Sequence, residues 1–156
     1  MAENSEKGSR LCRQDWIDAA LNALADGGVG AIRVEVLAKR LKVTKGGFYW
    51  HFRDRADLYT AILEYWRQGR MEVITRQTEH SGGADAGATL RGLLELYAGS
   101  RSDKGRAIEL AIRDWARRAA DVAAEVAAVD DHRLERVGGL FRDLGCSSED
   151  AFARAY

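Results

Sequence analysis

Apolar positions recur every three to four residues along most of the chain, which is the spacing of amphipathic helices. Trp16, Ile17, Ala20, Leu21 and Leu24 form one stripe and predict a helix from about Cys12 to Asp26, with Gly27-Gly28 as its stop. Val34, Leu37, Ala38 and Leu41 predict a second helix over 34–41. A tight turn at Lys42-Val43 then leads into a third, from Thr44 to about His51. A long fourth helix, about Asp54 to His80, carries Leu58, Ile62, Leu63, Trp66, Val73 and Ile74. Residues 81–87 are the one clear linker, and further helical stretches follow near 87–100, 104–118 and 120–144. A last helix opens at Ser147 or Ser148, with Ser147 and Asp150 spaced like a capping box. No period-two strand pattern and no repeat is present, so the fold class is all-α.

Composition agrees with this. Apolar residues make up 46% and charged residues 31% of the 156, and there is no proline. That length suits one domain, or a small module joined to a larger one. The N-terminal residues are polar with no signal-like apolar region, and no apolar run approaches membrane-spanning length, so a cytoplasmic protein is expected. Cys12 and Cys146 are too few for a disulfide framework or a zinc site. His51, His80 and His132 lack the spacing of metal ligands, and no cofactor is expected.

Charge changes the picture by its placement. The net formal charge is zero, yet residues 33–55 hold Arg33, Lys39, Arg40, Lys42, Lys45, Arg53 and Arg55 against only Glu35 and Asp54, a local balance of +5. Residues 119–156 carry a balance of −4. Positive charge is thus concentrated on one small unit, as expected where only that end meets phosphates. A merely solvated basic face is the competing reading.

Within that unit, residues 44–52 run Thr-Lys-Gly-Gly-Phe-Tyr-Trp-His-Phe. Each glycine inside a helix costs about 1 kcal/mol relative to alanine, so a short helix this poor in propensity calls for a reason. A buried aromatic anchor on one side and close approach of bare backbone to a duplex on the other would supply it. Phe48 and Phe52, four apart, share a face that can pack on Leu37, Leu41 and the first helix. Lys45 and Tyr49 share another, with Gly46 and Gly47 beside it. Thr44 can cap the helix or contact a phosphate, Tyr49 can reach a phosphate or a thymine methyl, and Lys45 a guanine edge or the backbone. Core packing is the alternative for every ring: it is accepted for Phe48 and Phe52, and Trp50 stays between packing and the duplex flank.

Residues 37–52, followed by Arg55 and Leu58, resemble the DNA-binding signature of the TetR family of bacterial transcriptional repressors. The resemblance covers roughly residues 13–63 closely and the helical remainder loosely. It implies a three-helix helix-turn-helix domain over 10–55, then a helical effector-binding and dimerisation domain over 56–156. It also implies a homodimer on palindromic operator DNA, with phosphate contacts near His51 and Arg55 and a small-molecule effector that releases DNA. The N-terminal dipole of the fourth helix would reinforce Arg55 at such a phosphate.

This chain departs from the family pattern in three places. Lys42 stands where the turn usually has glycine, at a cost of about 1 kcal/mol if the backbone is left-handed. Arg33 stands where Ser or Thr usually caps the second helix, and is expected to be a phosphate ligand. The final helix has barely begun at Tyr156, so either a piece of a longer protein, the reading preferred, or dimerisation through other surfaces is expected.

Candidates for the effector pocket are Trp66, Tyr97, Ile112, Trp115, His132 and Phe141, with core packing the competing reading for each. An enzyme is not expected. Gly46-Gly47 lacks the spacing of a phosphate loop, and the adjacent Asp130 and Asp131 point in different directions on a helix. The remaining alternative is a helical protein-interaction module without DNA binding, which would lack the steep salt dependence of a DNA binder.

Overall fold

The structure, a computed structural model, describes residues 11–79, 85–98 and 103–156. Most of the linker expected at 81–87, and His80, lie outside the described residues. Seven α-helices are formed among those described: α1 Arg13–Gly27, α2 Val34–Arg40, α3 Arg55–Thr78, α4 Ala86–Ala98, α5 Asp103–Ala116, α6 Ala120–Asp143 and α7 Ser148–Ala155. Short 3-10 segments at Val29–Ala31 and Lys45–Trp50 complete the helical content. No described helix is long and apolar enough to cross a membrane.

The alanine-rich sequence of α1 suits a helix, and its ends are set locally. At the start, the Cys12 amide donates to the Asp15 carboxylate (2.6 Å). At the end, Gly28 takes φ 69° while its amide donates to the Leu24 carbonyl. The predicted stripe of Trp16, Ile17, Ala20, Leu21 and Leu24 is buried. It meets Leu37 and Ala38 of α2, Phe48 and Phe52, and Leu58 and Ile62 of α3 in one apolar cluster. That cluster runs on without a break to Ile112 of α5 and to Val122, Val126 and Val129 of α6. The core therefore does not divide at residue 55, because α3 is shared by head and body. A smaller cluster of Ala86, Leu93 and Leu140 joins α4 to α6.

A polar seam crosses the body. Glu109 of α5 accepts from Trp66 Nε1 of α3 (3.3 Å) and pairs with Arg70 (3.3 Å) and Arg113 (2.8 Å). Arg113 in turn grips Asp130 of α6 through both terminal nitrogens, at 2.9 and 2.7 Å. That two-pronged guanidinium contact holds the Asp130 carboxyl below the usual carboxylate range, against the opposing effect of burial. α7 opens as its sequence indicates: Ser147 Oγ accepts from the Asp150 amide (3.1 Å) and donates to the Asp150 carboxylate (3.0 Å).

Candidate nucleic-acid interface

The interface is built from the end of α2 onward. α2 closes with the Val43 amide donating to the Ala38 carbonyl (3.0 Å) and the Lys42 amide to the Lys39 carbonyl (3.2 Å). This is the Schellman ending, in which the residue after the cap turns left-handed. That residue is Lys42, at φ 57° the one non-glycine with positive φ among the described residues. The strain expected of lysine there is present.

Thr44 is extended, and the chain then winds as a 3-10 helix over Lys45–Trp50 rather than the α-helix expected over 44–51. The Gly47 amide donates to the Thr44 carbonyl (3.1 Å), a three-residue closure. Two adjacent glycines give little α preference; past the segment the Phe52 amide donates to the Phe48 carbonyl (3.0 Å), a four-residue closure that brings both phenylalanines to one face. The 3-10 winding corrects the face assignment. At three residues per turn, positions three apart align, so Tyr49 stands over Gly46 and Trp50 over Gly47, while Lys45 lies about 120° around from Tyr49. Thr44 makes no side-chain cap, contrary to one of its two expected roles, and its hydroxyl is exposed.

The anchor is as expected. Phe48 and Phe52 are fully buried and stacked, 5.3 Å between centroids. Trp16 meets Phe48 edge-on at 5.5 Å, and the Arg13 guanidinium lies 4.6 Å over the Phe52 ring. Burying one such ring stabilises the head by roughly 1.5–3 kcal/mol. On the outer side Tyr49 is 63% and Trp50 87% exposed, so packing within this chain does not account for Trp50. Gly46 is exposed, and a Cβ there would meet only Thr44 Oγ1, 3.7 Å away. Gly47 is half-buried, its Cβ position 3.8 Å from Trp16. Bare backbone therefore faces solvent at Gly46, over an anchored core.

Arg33 is the N-cap residue of α2, extended and exposed, with no side-chain cap. His51 is half-buried and closes the 3-10 segment, its amide donating to the Phe48 carbonyl (2.9 Å). Arg55 is exposed at the first position of α3, with its guanidinium 5.5 Å over Tyr59. The start of α3 is already capped: the Asp57 amide donates to Asp54 (2.8 Å), and Asp57 accepts from the Arg53 amide (3.0 Å). The Arg53 amide, helped by the Arg53 and Arg13 cations, holds the Asp57 carboxyl below the usual range. A phosphate at this helix end would thus meet Asp54 as well as Arg55, which reduces the dipole contribution expected there.

Not every cation is free. Lys45 Nζ pairs with Glu35 Oε1 (2.8 Å), Arg40 with Asp26 (2.9 Å) and Arg53 with Asp57 (3.6 Å). Arg33, Lys39 and Lys42 make no ion pair among the described residues. The Glu35–Lys45 pair escaped sequence reasoning. Its only signal is an acid in the first turn of α2 and a lysine opening the next helical segment, ten residues on.

The six effector candidates are not gathered in one cavity. Trp66 borders a groove of about 560 Å³ between α1, α3, α4 and α5, together with Leu21, Tyr65, Leu96, Ile108 and Glu109. Phe141 lines a separate cleft of about 360 Å³ with Leu90, Leu93, Leu94 and Val137. Ile112 is closed in the core, and Trp115 packs edge-on against Tyr59 at 4.9 Å. His132 Nε2 shares a hydrogen bond with the Thr75 hydroxyl (2.9 Å). The side chain of Tyr97 lies outside the described residues. The mixture has a physical cause: helical periodicity says that a ring turns inward, not which seam it enters.

Residues 17–62 match the family described as "Bacterial regulatory proteins, tetR family". The chain is similar to the HTH-type transcriptional regulator AcrR of Shigella flexneri, 36% identical over 64 residues that cover 41% of this chain and 30% of that protein. It is also similar to TtgR of Pseudomonas putida, 28% identical over 94 residues, 60% of this chain and 44% of that one. Among solved structures it resembles SmeT, "the repressor of the Stenotrophomonas maltophilia multidrug efflux pump SmeDEF", with TM-score 0.60 and 22% identity over 85% of this chain and 63% of that chain. The matched region thus spans under half the length of these two curated relatives. The N-terminal helix-turn-helix within residues 17–62, with Lys42 at the turn and the Phe48–Phe52 anchor behind it, is thus similar to that of the tetR family of bacterial regulatory proteins.

Proposed function

We propose that this protein is a DNA-binding transcriptional repressor that acts as a homodimer on a palindromic operator and is released by a small-molecule effector. The observation that carries the reading is the exposed Gly46 backbone flanked by exposed Lys45, Tyr49 and Trp50, on a segment pinned from behind by buried Phe48 and Phe52. In this reading the 3-10 segment enters the major groove. Lys45 donates to a guanine edge, Tyr49 contacts a thymine methyl or a phosphate, and Gly46 and Gly47 let the backbone approach. Thr44, Trp50, His51, Arg33 and Arg55 contact the flanking phosphates and fix the register. Two heads about 34–36 Å apart would match successive major grooves on one face of the duplex.

The effector site is assigned to the groove beside Trp66. α3 carries Arg55 at one end and Trp66 and Arg70 on its length, so a ligand that favours one placement of α3 would move the head with it. The repressor title of the similar SmeT supports this sign of regulation. The test is a footprint on the DNA upstream of the gene and its divergent neighbour, with and without candidate ligands. A protected, two-fold symmetric site that a ligand relieves is expected; no protection at any upstream site would reject the reading.

A further inference from the structure

Glu35 and Lys45 bring together an acid on α2 and the cation assigned to base contact. The carboxylate sits in the first turn of α2, where a negative charge is favoured by the helix end. Lys45 opens the 3-10 segment, and its Nζ reaches Glu35 Oε1 at 2.8 Å. Both side chains are about three-fifths exposed, so the pair stands at the surface where the duplex would lie and does not support the core. Lys45, first by its hydrogen bond, holds the Glu35 carboxyl below the usual range, and Arg33 adds to this.

Resting on the DNA-binding reading above, we infer that Glu35 is a positioning residue for base recognition: it holds Lys45 toward base edges and penalises its use on phosphate. An ammonium group has three donors. On a matched site Lys45 can keep its bond to Glu35 while giving a second to guanine O6 or N7, so the pair survives in the complex. On an unmatched site the gain is phosphate contact alone. There Lys45 must either stay with Glu35 or leave a bare carboxylate close to the polyanion. Glu35 therefore weakens unmatched binding more than matched binding, and the ratio between them rises. The pairs Arg40–Asp26 and Arg53–Asp57 also neutralise cations of the head, but neither involves the 3-10 segment.

The full chain is tested as Glu35→Gln, Asp26→Asn and Lys45→Met. The probes are a random-sequence duplex and a duplex selected by the wild-type protein from a random library. Glu35→Gln should bind the random duplex about two- to five-fold more tightly, within the range of an exposed ion pair. Its plot of log affinity against log salt should steepen by about one. Discrimination at the base pair that Lys45 reads should fall, and Lys45→Met should abolish that difference in the double variant. Asp26→Asn makes the same charge change and should leave base discrimination intact. If Glu35→Gln leaves both affinities and the slope at wild-type values, or if Asp26→Asn reproduces its loss of discrimination, the inference is overturned. Failure of the wild-type chain to bind any duplex would instead overturn the DNA-binding reading.

Discussion

At the scale of single residues, the head departs from local rules where a duplex would touch it. Lys42 holds φ 57°, a conformation that costs a residue with a Cβ about 1–2 kcal/mol. Lys42→Gly should therefore raise the melting temperature by about 2–4 °C, less whatever glycine gains in unfolded-state entropy. It should also lower the salt slope of duplex binding by about one. A variant that melts no higher and binds unchanged would show that lysine is neither strained nor used there. Gly46 makes the complementary case. A Cβ there meets only Thr44 Oγ1 at 3.7 Å, so Gly46→Ala should melt at least as high as wild type while losing at least ten-fold in duplex affinity, about 1.4 kcal/mol. Unchanged affinity would mean that the bare backbone faces no groove. Lys42 drew notice as a departure from the family pattern, and Gly46 as a poor helix former inside a helical segment. The Glu35–Lys45 pair was not legible in the sequence, since it depends on how two elements are rotated against each other.

At the scale of elements, helix existence and the buried stripe of α1 followed from periodicity, and Ser147 capped as its spacing indicated. The winding of Lys45–Trp50 did not follow, because Phe48 is the one buried residue of the segment, and a single inward position fits a three-residue or a four-residue turn. The start of α3 yields a pH prediction. Asp57 has a folded-state pKa lowered chiefly by the Arg53 amide, so its contribution is present above the unfolded carboxylate value and is lost as pH falls through the lower folded one. Thermal melts should thus show stability dropping below about pH 4. Asp57→Asn should flatten part of that drop; an identical acid limb in the variant would remove Asp57 from the account. Asp130, held down by Arg113, adds a second group with the same sign.

At the scale of the whole molecule, α3 is the connecting part. It carries Leu58 and Ile62 in the head's core and Ile74 in the body's, its Trp66 and Arg70 meet Glu109, and that acid is tied through Arg113 to Asp130. Sequence patterning showed a basic head and an acidic C-terminal stretch, but not that one core would run through both. It also could not distribute Trp66, Ile112, Trp115, His132 and Phe141 among different seams, since long-range packing decides that. The central claim is that the outer face of the 3-10 segment reads duplex DNA. The most direct measurement is a salt titration of duplex binding by fluorescence anisotropy, with wild type beside Tyr49→Ala, an exposed substitution that gives up one edge-on contact with Phe48 (5.2 Å) but keeps the Phe48–Phe52 stack. The account predicts log affinity of the wild type falling linearly with log salt, and at least ten-fold weaker binding by a Tyr49→Ala protein that stays folded and melts within a few degrees of wild type. Equal affinity of the two proteins across the titration would contradict it.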